Sequence, residues 1–158
     1  MIRFRDFLKE NSLNNKSARD IYDFEFDETA KQFKKTNLWI KSKKSDITYF
    51  LRENDETIVG IEAIKDKSVL FINSAFSKGR GKYIETLDLI LKTPIKEIVS
   101  DVILSEDATK FWTKIIYDNS RTKTFRNYKD EVVLEFNSPT DEALHMFQSQ
   151  EYRIGLKS

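Results

Sequence analysis

SVLFINSAFSKGRGKYIETLDLIL, running from Ser68 to Leu91, is the stretch that decides the architecture. Its opening, Ser68–Phe76, is a β-rich run of the kind that forms a strand. Lys78-Gly79-Arg80-Gly81-Lys82 breaks that run with two of the chain's four glycines. Tyr83, Ile84, Leu87, Ile90 and Leu91 then recur at helical spacing until Lys92-Thr93-Pro94 stops them. A further strand is expected over Ile95–Leu104, carried by Ile98, Val99, Val102 and Ile103. A strand–loop–helix–strand unit makes its two strands parallel through a right-handed crossover.

Upstream, Ile47–Arg52 and Thr57–Ile64 are strand candidates separated from each other by Glu53-Asn54-Asp55-Glu56 and from Ser68 by Lys65-Asp66-Lys67. Such short polar connections predict hairpins, so the three runs make an antiparallel meander. Ile21–Phe26 alternates apolar and acidic residues like a half-buried strand, and Asp27 is placed to cap a helix over Glu28–Lys35. The lysine-rich segment Lys31–Lys44 contains Phe33, Leu38, Trp39 and Ile40, which predicts a solvated face with buried anchors.

Downstream, Ser105 reads as the N-cap of a helix whose apolar residues Ala108, Phe111, Trp112, Ile115 and Ile116 are evenly spaced on one face. Asn119–Tyr128 reads as a polar, basic connection and Glu131–Phe136 as a strand. Ser138-Pro139 is expected to start a last helix with proline at its first position. The tail after Tyr152 is a short strand or loose. The sum is one α+β domain over residues 1–158, with a mixed, mostly antiparallel central sheet and helices on both faces.

Composition narrows the chemistry. Among 158 residues there is no cysteine and one histidine, His145, so disulfides, thiolate metal sites and histidine-based triads lack material. His145 lies among Leu144, Met146 and Phe147 and reads as structural or surface. A formal net charge of +1 removes the electrostatic case for nucleic acid as the main partner. No apolar run approaches a membrane span, and the charged Met1–Glu10 segment is no secretory signal. The expectation is a soluble, cytoplasmic protein.

The Lys78–Lys82 loop leaves a strand and opens a helix, where unpaired backbone N–H groups and the helix dipole converge. Two glycines permit close approach of a ligand, and Lys78, Arg80 and Lys82 add positive charge, which together suit a pyrophosphate or other phosphate group. A tight strand-to-helix turn would need the same glycines for its angles alone.

The segment resembles the acyl-CoA-binding motif of the GNAT N-acetyltransferase superfamily, in which a strand leads into a Q/R-x-x-G-x-G/A loop and a helix. Lys78 stands where the family has Gln or Arg, Gly79 agrees with the R-G-x-G form, Gly81 matches the central glycine, and Tyr83 replaces the final small residue. Ser105 to Trp112 looks like the family's N-x-x-A-x-x-F-Y helix, with Ser105 for Asn and Trp112 for Tyr. The likeness covers roughly Ile47 to Tyr117 in the right element order.

That resemblance implies transfer of an acetyl group from acetyl-CoA to an amine of an unidentified acceptor. It implies that the backbone of Ile72, Asn73, Ser74 and Ala75 holds the pantetheine, and that Lys78 to Tyr83 hold the pyrophosphate. Ser105 would lie along the same cofactor, and Trp112 packs in the core or against the pantetheine arm. Trp112 replaces the family's general acid, and an indole N–H is too weak an acid to serve. Tyr117 is a substitute if the helix ends early enough to turn it inward; an ordinary tyrosine is the simpler account. Glu62 interrupts Ile61-Glu62-Ala63 and is a candidate base, or merely the solvent side of an alternating strand. Arg121-Thr122-Lys123-Thr124-Phe125-Arg126 would meet an acidic partner, the CoA 3′-phosphate, or only solvent. A GNAT-like protein without catalysis, serving as a binding or host-inhibiting protein, is the alternative function.

Met1–Glu10 resembles the capsid-targeting peptides of internal head proteins in large tailed phages, with Leu8-Lys9-Glu10 matching an L/I-x-E cleavage motif. An amphipathic first helix accounts for the same residues. The likeness implies a phage-encoded protein, in the host cytoplasm or packaged in the virion, with a host protein or the capsid as partner.

Overall fold

The computed structural model describes residues 25–101 and 104–158. The expectations for Met1–Glu10 and for a strand beginning at Ile21 lie outside the described residues. Among the described residues nine strands form one open sheet: β1 (Lys31–Gln32), β2 (Leu38–Lys43), β3 (Asp46–Glu53), β4 (Glu56–Asp66), β5 (Val69–Ser77), β6 (Glu97–Val99), β7 (Lys123–Arg126), β8 (Val132–Phe136) and β9 (Arg153–Lys157). Their spatial order is β1-β2-β3-β4-β5-β6-β9-β7-β8. β5 and β6 are the parallel pair, as the crossover between them requires; the other neighbours are antiparallel. Three helices, α1 (Lys82–Ile90), α2 (Glu106–Ile116) and α3 (Asp141–Ser149), complete an α+β fold among the described residues.

The meander forms for the reason its turns suggested. Asn54 and Asp55 take φ of 52° and 63°, the left-handed pair of a tight two-residue hairpin, and bring Glu53 opposite Glu56. Leu38, Tyr49, Leu51, Val59, Ile61, Leu70 and Ile72 make the buried face of the first half of the sheet. Leu87 and Ile90 of α1, Trp112, Ile115 and Ile116 of α2 and Ala143 of α3 bury themselves in the same cluster. α2 is capped as expected, with Ser105 Oγ accepting from Ala108 N at 3.1 Å.

Four expectations fail, some to a local turn or cap and some to pairing with distant strands. Asp27 caps no helix: its carboxylate takes the N–H and hydroxyl of Thr29 at 2.8 and 2.6 Å and the ammonium of Lys41. That local turn frees Lys31 and Gln32 to pair with Ile40 and Trp39, so a hairpin replaces the helix. Of the expected Ile95–Leu104 strand, the described residues form only the three of β6. Asn119–Tyr128 is not a plain connection but contains the buried strand β7. Thr140, not Ser138, caps α3, accepting from Ala143 N at 3.1 Å, and Pro139 stays outside the helix. The tail is no loose end either. β9 inserts between β6 and β7, with Ile154 and Leu156 buried.

Candidate functional site

The site grows from the way β5 leaves the sheet. The β5–β6 ladder runs from Val69–Glu97 to Phe71–Val99 and stops, while β5 continues to Ser77. Just past that point β5 carries a bulge against β4: Ala63 faces Ile72 and Glu62 faces Ser74, leaving Asn73 as the extra residue. The bulge turns Ile72 and Ala75 onto the same, core-facing side, which alternation forbids at a spacing of three. Asn73 is exposed. The segment Ile72 to Ala75, expected to hold pantetheine, therefore lies beyond the paired length of β6.

β5 delivers the chain into the glycine loop. Lys78 N–H donates to Ile58 O at 2.8 Å, carrying the β4–β5 ladder one step further. Gly79 and Gly81 adopt φ of 83° and 77°, the left-handed region that glycine occupies without strain. Gly81 stands at the N-cap of α1 with no side chain capping the helix. Arg80 and Gly81 form a tight turn, and the first amides of α1 have no partner inside their own helix. They form the exposed positive end of α1.

The loop's cations are not all at liberty. Lys78 Nζ lies 2.8 Å from Glu56, and Lys82 Nζ lies 3.0 Å from Glu53 and 3.4 Å from Glu85. The hydrogen bond from Lys78 holds the Glu56 carboxyl below its ordinary pKa, and Glu53 holds Lys82 above its own. Arg80 is exposed and has no ion-pair partner among the described residues. Tyr83 turns away from the loop: its ring meets Phe111 edge-on at 4.7 Å, and burial pushes its hydroxyl well above the ordinary range. The bulky residue at the family's small position thus packs inward.

Of the proposed catalytic groups, Glu62 is half-buried at the bulge and accepts from Ser74 Oγ at 3.2 Å. Trp112 is 2% exposed, in the core against Phe111. Ser105 spends its hydroxyl on the α2 cap. Tyr117 follows the last residue of α2 and is 57% exposed, so the helix does end early but the ring faces out. His145 is exposed on α3.

The basic stretch Arg121–Arg126 is neither solvated nor open to a partner. Arg121 forks onto Asp88 of α1 at 2.6 and 3.0 Å and reaches Asp118 at 3.0 Å. Lys123 is fully buried, its ammonium held by the carbonyls of Asp118 (2.6 Å), Arg121 (2.8 Å) and Asn137. Burial lowers its pKa. Arg126 grips Glu97 at 2.7 and 3.0 Å, and Thr124 Oγ1 adds a third bond at 2.6 Å. Burial works to raise the Glu97 pKa, but the bonds from Arg126 and Thr124 overcome it and carry the carboxyl below its usual range. A Cβ on Gly155 would stand 2.4 Å from Glu97 Oε2 and 2.3 Å from Thr124 Oγ1, so the carboxylate occupies the place of a side chain. Sequence reasoning missed this network; the one available signal was a glycine inside the strand-like tail.

No group of side chains suited to hold a metal occurs among the described residues, and no described helix is long and apolar enough to cross a membrane. Comparison with protein-family models, curated proteins and solved structures finds no match to this chain.

Proposed function

We propose that the chain is a GNAT-like, acyl-CoA-dependent N-acyltransferase that moves an acetyl group from acetyl-CoA to an amine. The observation that carries the reading is the parallel β5–β6 pair that parts after Phe71, with β5 running through a bulge into the glycine loop and the amides that open α1. An extended pantetheine arm fits beside the parted strand, offered hydrogen bonds by the backbone of Ile72 to Ala75. The pyrophosphate fits the amides of Gly79 to Tyr83. The last strand lying between β6 and β7, and helices on both faces of the sheet, belong to the same proposal.

Glu62 is the proposed base, acting directly or through water on the acceptor ammonium, with Ser74 orienting it. Tyr117 is the proposed acid, on condition that the C-terminal end of α2 turns inward when acceptor binds. A second reading, a GNAT-like binding protein without turnover, is favoured by Trp112 lying in the core and Tyr117 facing out. A phage origin with the host or the capsid as partner is compatible with either.

Calorimetric titration with acetyl-CoA tests the proposal, in parallel with a Gly81→Glu variant. The space beside Gly81 is open, but its positive φ and the added carboxylate both oppose an anion there. Binding by the wild type that disappears in the variant supports the site. A folded wild type that binds no acetyl-CoA sinks it. Binding without release of free CoA across an amine panel favours the second reading.

A further inference from the structure

We infer that the β3–β4 turn is an internal competitor for the ligand of the Lys78–Lys82 loop: its glutamates occupy the loop's lysines and must yield them when a diphosphate binds. The inference rests on the acyl-CoA reading for the identity of the natural ligand, and on side-chain geometry for everything else.

Glu53 and Glu56 lie directly opposite each other in the hairpin register. Like charges in that position repel, because opposed side chains of an antiparallel pair leave the same face side by side. Two cations of the neighbouring loop offset the repulsion, Lys82 on Glu53 at 3.0 Å and Lys78 on Glu56 at 2.8 Å. The arrangement is an exchange partner rather than a lock. These side chains are 30–60% exposed, and ion pairs so open to water are weak and break readily. Between the two lysines run the amides of the glycine loop and the first amides of α1, which have no partner inside the helix.

A diphosphate seated on those amides draws Lys78 and Lys82 to itself and leaves Glu53 facing Glu56 uncompensated. Binding is then a swap, and its affinity is lower than the loop's cations alone would confer. Replacing either glutamate by glutamine removes its own share of the competition together with the residual repulsion, and replacing both frees both lysines from the turn. Each single change should tighten an anion about threefold and the pair about tenfold at low salt, a modest step of the size expected for exposed charges. High ionic strength should shrink the gain.

The test measures inorganic pyrophosphate and CoA binding by the full chain for wild type, Glu53→Gln, Glu56→Gln and the double variant. Glu135→Gln, which opens the remote pair with Lys157, serves as control. Thermal melts confirm that each variant is folded. Tighter pyrophosphate binding in the order double, single, wild type, with Glu135→Gln unchanged, supports the competitor. Equal pyrophosphate affinity in wild type and double variant overturns it, as does absence of pyrophosphate binding in all of them. If the predicted order holds for pyrophosphate while no variant binds CoA, the competitor stands and the acyl-CoA reading falls. If CoA binds but neither probe tightens, the reading stands and the competitor falls.

Discussion

Two basic stretches of this chain, Lys78–Lys82 and Arg121–Arg126, look alike as sequence and meet opposite fates. The first stays at the surface: Lys78 is 53% exposed in its side chain and pairs with a glutamate that is equally wet. The second is pulled into the sheet, where Lys123 is fully buried and Arg126 closes on a carboxylate only 6% exposed. The difference is what surrounds the charge. An exposed pair exchanges with water and ligands, whereas a buried one has traded its hydration for fixed partners and cannot let go cheaply. Positive charge therefore marks a binding site only where it remains exchangeable.

The comparison breaks most visibly at Glu97. Arg126→Met should cost about 3–5 kcal/mol in chemical denaturation, because it strands a buried carboxylate. Loss of less than about 1 kcal/mol would show the pair to be solvated after all. Gly155→Ala should cost about 1–3 kcal/mol by driving a methyl group into the same carboxylate. A Gly155→Ala, Glu97→Ala double variant whose penalties simply add would contradict that contact, since truncating Glu97 clears the space the methyl group enters.

Acid sharpens the contrast next. The Glu97 carboxyl is held below its unfolded pKa, so its stabilisation is present above that value and is lost as pH falls through the lower, folded one. Glu97→Gln should flatten the acid limb of the stability curve and leave the slope near neutrality unchanged; an unaltered acid limb would refute the assignment. The smallest effect belongs to the exposed loop. Lys82→Gln should leave the melting temperature nearly unchanged while weakening CoA binding, and the reverse pattern would make Lys82 a structural residue.

Much of the candidate site was legible in the chain. The glycine loop, the helix after it and the Ser105 cap follow from neighbours within one or two turns, and so does the meander through its polar turns. The bulge at Asn73 left no signal, since nothing in Ile72-Asn73-Ser74-Ala75 says which residue the ladder will skip. Tyr83 and Trp112 stand as departures from a family pattern, but the packing of Tyr83 against Phe111 depends on how α1 meets α2, and the burial of Trp112 on how α2 meets the core. The ties from Glu53 and Glu56 to the loop cross more than twenty positions, as the 22-residue separation of Lys78 and Glu56 illustrates.

By itself the sequence determined part of the local alphabet of this protein: the strands and turns of the central meander, and that a strand, a glycine loop and a helix force one parallel pair. Periodicity, turn chemistry and capping act over a few residues and are written in order. Only the tertiary structure decided that β9 slips between β6 and β7, that Lys31 and Gln32 form an edge strand, and that Lys123, Arg126 and Glu97 are buried. Those outcomes turn on which distant backbone completes each hydrogen-bond ladder and on what the resulting contact does to water around a charge. Neither is a property of any single stretch of chain.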